Sequence, residues 1–145
     1  MIRAKAPLGR GRFKQGETRM ARERIGFVGV GLMGHGMAKN IVEKGWPLSV
    51  IAHRNRAAVE DLVGRGATEA ATLADLAAAS DVVFLCLPAS PQVEAAVAAM
   101  LPALGKGAVV VDCSTSDPVS TVRLAAGLAA AGVDFADAPL SRPPP

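Results

Sequence analysis

GFVGVGLMGHGMAKN, residues 26–40, decides the reading of this chain. It holds five glycines in fifteen positions, where the apolar run RIGFVGV (24–30) gives way to residues able to carry a helix. Glycine inside a strand or helix costs about 0.5–1 kcal/mol relative to alanine, so a cluster at one junction points to close approach of the backbone to something. Gly29, Gly31 and Gly34 stand in the spacing G-x-G-x-x-G. In that pattern the first glycine permits a tight turn, the second lets a pyrophosphate approach the backbone, and the third allows close helix packing. The free N–H groups at the helix start, together with the helix dipole, would hold the phosphates.

The motif has weight only in the right context, and the rest of the chain supplies it. Beyond residue 22 short apolar runs alternate with amphipathic stretches: strand-like 24–30, 48–52, 82–88 and 108–114, a weak strand at 67–69, and a last one at 133–137. VVFLCLP and AVVVDCS are continuous apolar runs, as expected of strands covered on both faces. Helical patterns fill the gaps at 33–44, 56–65, 72–80, 90–101 and 117–132. Thr72, Ser90 with Pro91, and Asp117 with Pro118 read as helix starts, and Gly132 as a stop. Strands alternating with helices predict a doubly wound parallel α/β sheet of the Rossmann type, about six strands flanked by helices, in the order 3-2-1-4-5-6.

In such a sheet the end of the second strand selects the cofactor. An Asp or Glu about 20 residues after the glycines would bind a ribose 2′-hydroxyl. Here VIAHRNRAAVE puts His53, Arg54, Asn55 and Arg56 in that region. Two guanidiniums and an amide suit a 2′-phosphate, because Arg binds phosphate with two parallel hydrogen bonds. The expectation is NADP over NAD, set against a solvated basic turn as the plainer alternative.

Composition bounds the rest. The chain has 145 residues, half of them apolar, a net charge of +3 and a pI near 9.2. The charge is uneven: residues 1–22 carry seven Lys/Arg against Glu17 alone, leaving nine basic and twelve acidic residues in 23–145. A Gly- and Arg-rich leader of this kind reads as a solvated tail ahead of a nucleic-acid arm, and a third reading places the natural start at Met20. The expected organisation is therefore a basic tail over 1–22, a dinucleotide-binding domain over 23–142, and a proline-rich end over 143–145. No apolar run reaches the ~18–20 residues that span a bilayer, and no secretory signal is evident, so a cytoplasmic setting without membrane or nucleic-acid partners is expected. Cys86 and Cys113 form no CxxC pair, and His35 and His53 stand alone, so core thiols and no metal site are expected.

The glycine stretch also carries a family resemblance. From Gly29 to Asn40 the sequence matches G-x-G-x-M-G-x-x-M-A-x-N, and DVVFLCLPASPQVE, VVVDCSTSDP and GVDFADAPLS follow in order at fitting spacing. Over residues 22–142 the chain resembles the β-hydroxyacid dehydrogenases, the group of 3-hydroxyisobutyrate dehydrogenase, tartronate semialdehyde and glyoxylate reductases and, more remotely, 6-phosphogluconate dehydrogenase. The resemblance implies cofactor contacts at Gly29, Gly31, Leu32, Met33, Gly34, Leu87, Pro88, Gln92 and Thr115, with Ser114 and Ser141 facing the substrate. It implies an oxidoreductase that passes hydride between NADP(H) and a small β-hydroxy acid or its semialdehyde or ketone partner.

Two departures qualify it. Arg142-Pro143 stands where the family has a glycine pair, and the sequence stops at Pro145. The family's catalytic lysine and all-helical domain, which complete the pocket and a homo-oligomer, have no counterpart here. Lys39, Lys44 and Lys106 do not fit the lysine motif, so no catalytic residue is assigned. The expectation at this stage is a cofactor-binding portion, with a catalytically inactive binding module as the alternative.

Overall fold

The computed structural model describes residues 22–54 and 56–141. The elements run β1 (Ile25–Val28), α1 (Leu32–Glu43), β2 (Leu48–Val50), α2 (Arg56–Gly64), β3 (Thr68–Glu69), α3 (Leu73–Ala78), β4 (Val82–Leu85), α4 (Ser90–Met100), a 3-10 turn (Leu101–Ala103), β5 (Val109–Asp112), α5 (Pro118–Ala130) and β6 (Asp134–Asp137). All six strands pair in parallel in one sheet of order β3-β2-β1-β4-β5-β6. This is the doubly wound Rossmann-type architecture expected from the alternating pattern.

Local chemistry places the helices. The Thr72 hydroxyl accepts the Asp75 N–H at 3.0 Å and donates to the Asp75 carboxylate at 2.8 Å, which closes the first turn of α3. Asp117 caps α5 by accepting the Val119 N–H at 3.2 Å, with Pro118 next in the chain. At the far end Gly132 has φ +75°, a conformation that L side chains rarely adopt,. Ser90 departs from expectation. It is the first residue of α4 rather than its cap, the cap position belongs to Ala89, and the Ser90 hydroxyl accepts the Asp117 N–H at 2.7 Å. The same hydroxyl chemistry joins two loops instead of closing one helix.

Two apolar clusters sandwich the sheet. On one face Phe27, Leu48, Val50 and Ile25 pack with Ala38 and Val42 of α1 and Val59 and Leu62 of α2. On the other, Val83, Leu85 and Val110 pack with Leu76, Val93, Val97, Met100 and Leu128 from α3, α4 and α5. Burying a side chain such as Phe27 or Leu85 fully stabilises by about 1.5–3 kcal/mol. Only β1 is buried at every residue; β4 and β5 alternate buried and half-buried. The expectation that 82–88 and 108–114 are covered on both faces is thus corrected: α1 and α2 cover the β1–β2 half of their face, and Val82, Phe84, Val109 and Val111 stay half-buried. Arg22, grouped by charge with the basic leader, packs on the domain, its guanidinium 5.2 Å from the Trp46 ring centroid and bonded to the Lys44 carbonyl. The rest of that leader, Asn55 and the proline-rich end lie outside the described residues.

Candidate dinucleotide site

Strand order sets the place of the site. The chain leaves β1 into α1 on one face and leaves β4 into α4 on the other, so a crevice opens beyond the carboxyl ends of these neighbouring strands,. Gly29 to Gly34 form one wall and Cys86-Leu87-Pro88 the other.

The three glycines differ in what demands them. Gly29 has φ +97°, and a Cβ there would lie 2.1 Å from the Cys86 carbonyl oxygen. A Cβ on Gly34 would lie 1.9 Å from the Gly29 carbonyl oxygen. Turn and packing therefore require both. Gly31 has an ordinary φ of −75°, and a Cβ there would meet nothing within 4 Å. Nothing among the described residues excludes a side chain at Gly31, so its bare backbone leaves room for a ligand. Gly31 is also the N-cap of α1, with no capping side chain and no acidic residue in the first turn. The first N–H groups of an uncapped helix have no partner within the helix and favour an anion. Leu32 and Met33 are 97 % and 59 % exposed there, although apolar.

The second-strand loop is less uniform than its sequence. Arg54 is exposed and has no ion-pair partner among the described residues. Arg56, the first residue of α2, donates to both carboxylate oxygens of Glu69 at 3.1 and 3.2 Å and lies 3.6 Å from Glu60. The hydrogen bonds to Glu69 push the Arg56 guanidinium further up, its charge reinforcing them. Glu69 ends β3, next to β2, and is a carboxylate near the loop that reading the second strand alone did not reveal. Beside Gly31, an open groove between α1 and α2 is lined by Leu32, His35, Ala57, Ala58, Asp61 and Arg65. At its base His35 meets Asp61 at 2.8 Å, Arg65 donates to Asp61 at 2.9 Å, and Arg65 reaches Glu43 at 2.5 Å. The Arg65 bond first, then the His35 bond, hold the Asp61 carboxyl down at about 2.

On the β4–β5 side, Leu87 is half-buried, Pro88 and Thr115 are exposed, and Gln92 is exposed in the first turn of α4. Ser114, expected to face substrate, is 3 % exposed, and its hydroxyl accepts the Leu87 N–H at 2.9 Å. Its own N–H donates to Asp112 at 2.9 Å, and the Ser116 hydroxyl donates to the other Asp112 oxygen at 2.6 Å. Asp112 is fully buried. This carboxylate shapes the Ser114–Ser116 turn, and Ser114 in turn fixes Leu87. An Asp at the end of an all-valine run was the available signal, since Asp is almost never fully buried unless paired. Below the turn, the Ser120 hydroxyl and Arg123 both donate to Glu94, at 2.6 and 2.5 Å, tying α5 to α4. Ser141 is exposed on the segment that leaves the carboxyl end of β6. The structure thus gathers Gly29–Gly34, Leu87, Pro88 and Thr115 at one edge of three adjacent strands, with Arg54 one strand further along that edge. Among the described residues no cluster of three or more His, Cys, Asp or Glu is placed to hold a metal, and no helix is long and apolar enough to cross a membrane.

A parallel sheet with a glycine turn and an uncapped helix at its switch point defines a dinucleotide-binding domain,. A family model described as the NAD binding domain of 6-phosphogluconate dehydrogenase matches residues 24–143. 2-(Hydroxymethyl)glutarate dehydrogenase of Eubacterium barkeri is 37 % identical over 123 residues, 81 % of this chain and 40 % of the relative. NAD-dependent L-serine dehydrogenase of Pseudomonas aeruginosa is 35 % identical over 122 residues, covering 82 % and 41 %. The solved 3-hydroxyisobutyrate dehydrogenase of Mycobacterium tuberculosis with L-serine superposes with a TM-score of 0.78 at 25 % identity, covering 83 % of this chain and 41 % of that one. The chain belongs to the β-hydroxyacid dehydrogenase family and corresponds to its N-terminal domain. It spans about two-fifths of the length of these relatives.

Proposed function

We propose that the chain binds NADP in preference to NAD, as the cofactor domain of an oxidoreductase that passes hydride between the nicotinamide and the hydroxyl-bearing carbon of a small β-hydroxy acid or its aldehyde or ketone partner. The observation that carries the binding site is Gly31, bare of side chain with open space before it, at an uncapped helix start. The preference for NADP rests on Arg54, the exposed guanidinium of the second-strand loop. Asn55 and Arg56 join it there in the sequence, Arg56 being held by Glu69.

The dinucleotide, when bound, would carry the hydride, taking it up in its oxidised form and giving it up in its reduced form. The chain's own part is to bind and orient. Backbone N–H groups of Gly31, Leu32, Met33 and Gly34 receive the pyrophosphate. Leu87 and Pro88, the former fixed by Ser114, pack against the cofactor at the end of β4, with Gln92 and Thr115 at the crevice rim. Ser141 serves the substrate side. Ser114 acts as a positioning residue through Leu87, because its hydroxyl is buried and engaged.

A second reading, cofactor binding without turnover by this chain, is favoured by the placement of the lysines. Lys44 precedes β2 and Lys106 precedes β5, both at the amino edge of the sheet opposite the crevice, and Lys39 lies in the second half of α1. General acid–base catalysis supplies about 10²–10⁴-fold in rate, so with no lysine at the crevice among the described residues turnover by this chain would be slow,. Titration with NADPH and NADH tests the first reading, and tighter NADPH binding supports it. Following NADPH absorbance with small semialdehydes and 2-oxo acids tests the second, which robust turnover would overturn.

A further inference from the structure

Cys86 and Cys113 are 27 positions apart in sequence but neighbours in the sheet. Leu85 and Asp112 are register partners, and each cysteine is the first residue past the end of its strand. The ladder continues through them: the Cys113 N–H donates to the Leu85 carbonyl at 2.8 Å, and the Cys86 N–H to the Val28 carbonyl at 2.9 Å. In-register residues on adjacent strands point to the same face, with strands about 4.7–4.9 Å apart; that lies inside the ~4.4–6.8 Å Cα range of a disulfide and about 1 Å beyond its usual Cβ separation, a gap that a small approach of the strand ends closes. Both thiols are free, Cys86 half-buried and Cys113 buried. Cys86 packs with Val82 and Phe84 on the face where β4 and β5 are only half covered, which gives a small oxidant a way in.

We propose that Cys86 and Cys113 form a paired-thiol site that a hydroperoxide closes into an intramolecular disulfide, weakening dinucleotide binding. The more exposed Cys86, as thiolate, attacks one peroxide oxygen; the O–O bond breaks, Cys86 becomes a sulfenic acid and the peroxide leaves as an alcohol or water. The Cys113 sulfur then displaces the sulfenic oxygen, which leaves as water with the Cys113 proton. In sum two thiols give up two electrons and two protons, and the peroxide is reduced. Burial, and the carboxylate of Asp112, push both thiols up, with Asp137 and the Cys86 thiol acting on Cys113 as well, so the closure is slow at neutral pH and faster in mild alkali,.

The link to binding is steric. The Cys86 carbonyl oxygen abuts Gly29, and the residues that follow the two cysteines, Leu87 and Ser114, are joined by a hydrogen bond that ties the ends of β4 and β5 together. A cross-link beside that bond draws the two Cβ atoms from about the 4.7–4.9 Å strand spacing to the ~3.8 Å of a disulfide, and so displaces the Cys86 carbonyl and the Leu87–Pro88 wall of the crevice. This second half of the proposal rests on the dinucleotide reading, whereas the cross-link does not.

The test treats the reduced, folded 145-residue chain with hydrogen peroxide at neutral and mildly alkaline pH. Intact mass, non-reducing electrophoresis and maleimide counting after unfolding in denaturant are followed in parallel with NADPH titration of the folded chain. The expected product has lost two hydrogens, stays monomeric, offers no thiol to maleimide and regains both on reduction; NADPH affinity falls at least about tenfold on closure. Cys113→Ser should give a sulfenic or over-oxidised Cys86 and no such monomeric product. Two persisting thiols, over-oxidation without closure, or a disulfide only between chains would overturn the site. Closure with unchanged NADPH affinity would overturn the coupling, while failure of the reduced chain to bind any dinucleotide would count against the binding reading alone.

Discussion

The Arg56 guanidinium holds the Glu69 carboxylate with two hydrogen bonds of 3.1 and 3.2 Å, joining the start of α2 to the end of β3. That pairing separates two arginines that are equivalent in the sequence, because a fork already filled by a carboxylate has less to give a phosphate than one open to solvent. Arg54→Glu should therefore cost NADPH about ten- to a hundredfold in affinity, in line with ~1.5–3 kcal/mol for a charged hydrogen bond, and NADH little. Arg56→Glu should cost less. Isothermal titration at two salt concentrations checks this, and a larger loss at Arg56 would reverse the assignment.

Removing Glu69's charge is the complementary case. Glu69→Gln should release Arg56 toward the loop, tighten NADPH relative to NADH by severalfold, and change stability little, since ion pairs open to solvent contribute little. An unchanged cofactor ratio would show that Arg56 takes no part in selection.

The glycine turn makes a stability prediction. Gly34→Ala must displace the Gly29 carbonyl, 1.9 Å from the new Cβ, and Gly29→Ala meets the Cys86 carbonyl at 2.1 Å from a φ of +97°. Each should destabilise by several kcal/mol, read as a lowered urea midpoint or as insoluble protein. A wild-type midpoint for either would contradict the packing described.

Much of this was legible in the sequence because its causes are local. Thr72, Asp117-Pro118 and Gly132 act within a few residues of themselves, and the G-x-G-x-x-G turn joins adjacent elements. What escaped depends on partners brought close only by folding. Ser90 reads as a cap and instead meets Asp117; the Leu87 N–H finds the Ser114 hydroxyl 27 positions away; Glu69 lies one strand away from the arginine it pairs with. The valine runs of β4 and β5 suggested burial on both faces, yet a run cannot report whether a helix lies over each face.

Acid should loosen the α1–α2 junction. The bonds from Arg65 and His35 lower the Asp61 carboxyl from 3.8 to about 2 in the folded chain. A carboxyl with a depressed folded pKa contributes stability fully above its unfolded value and loses it as pH falls through the folded one. The melting temperature should therefore drop from about pH 4 toward about pH 2, and Asp61→Asn should flatten that part of the profile while lowering stability at neutral pH. Equal acid profiles for the two proteins would remove Asp61 from the account.

Gly31→Ala puts the central claim to the most direct test. A methyl there meets no atom among the described residues, so the chain should still fold, with stability lowered by no more than about 1 kcal/mol, the cost of exchanging an N-cap glycine for alanine,. It should also stand where the pyrophosphate must approach, so NADPH affinity, followed by titration of the folded variant, should fall at least about tenfold. A folded Gly31→Ala chain that binds NADPH as tightly as wild type would contradict the site.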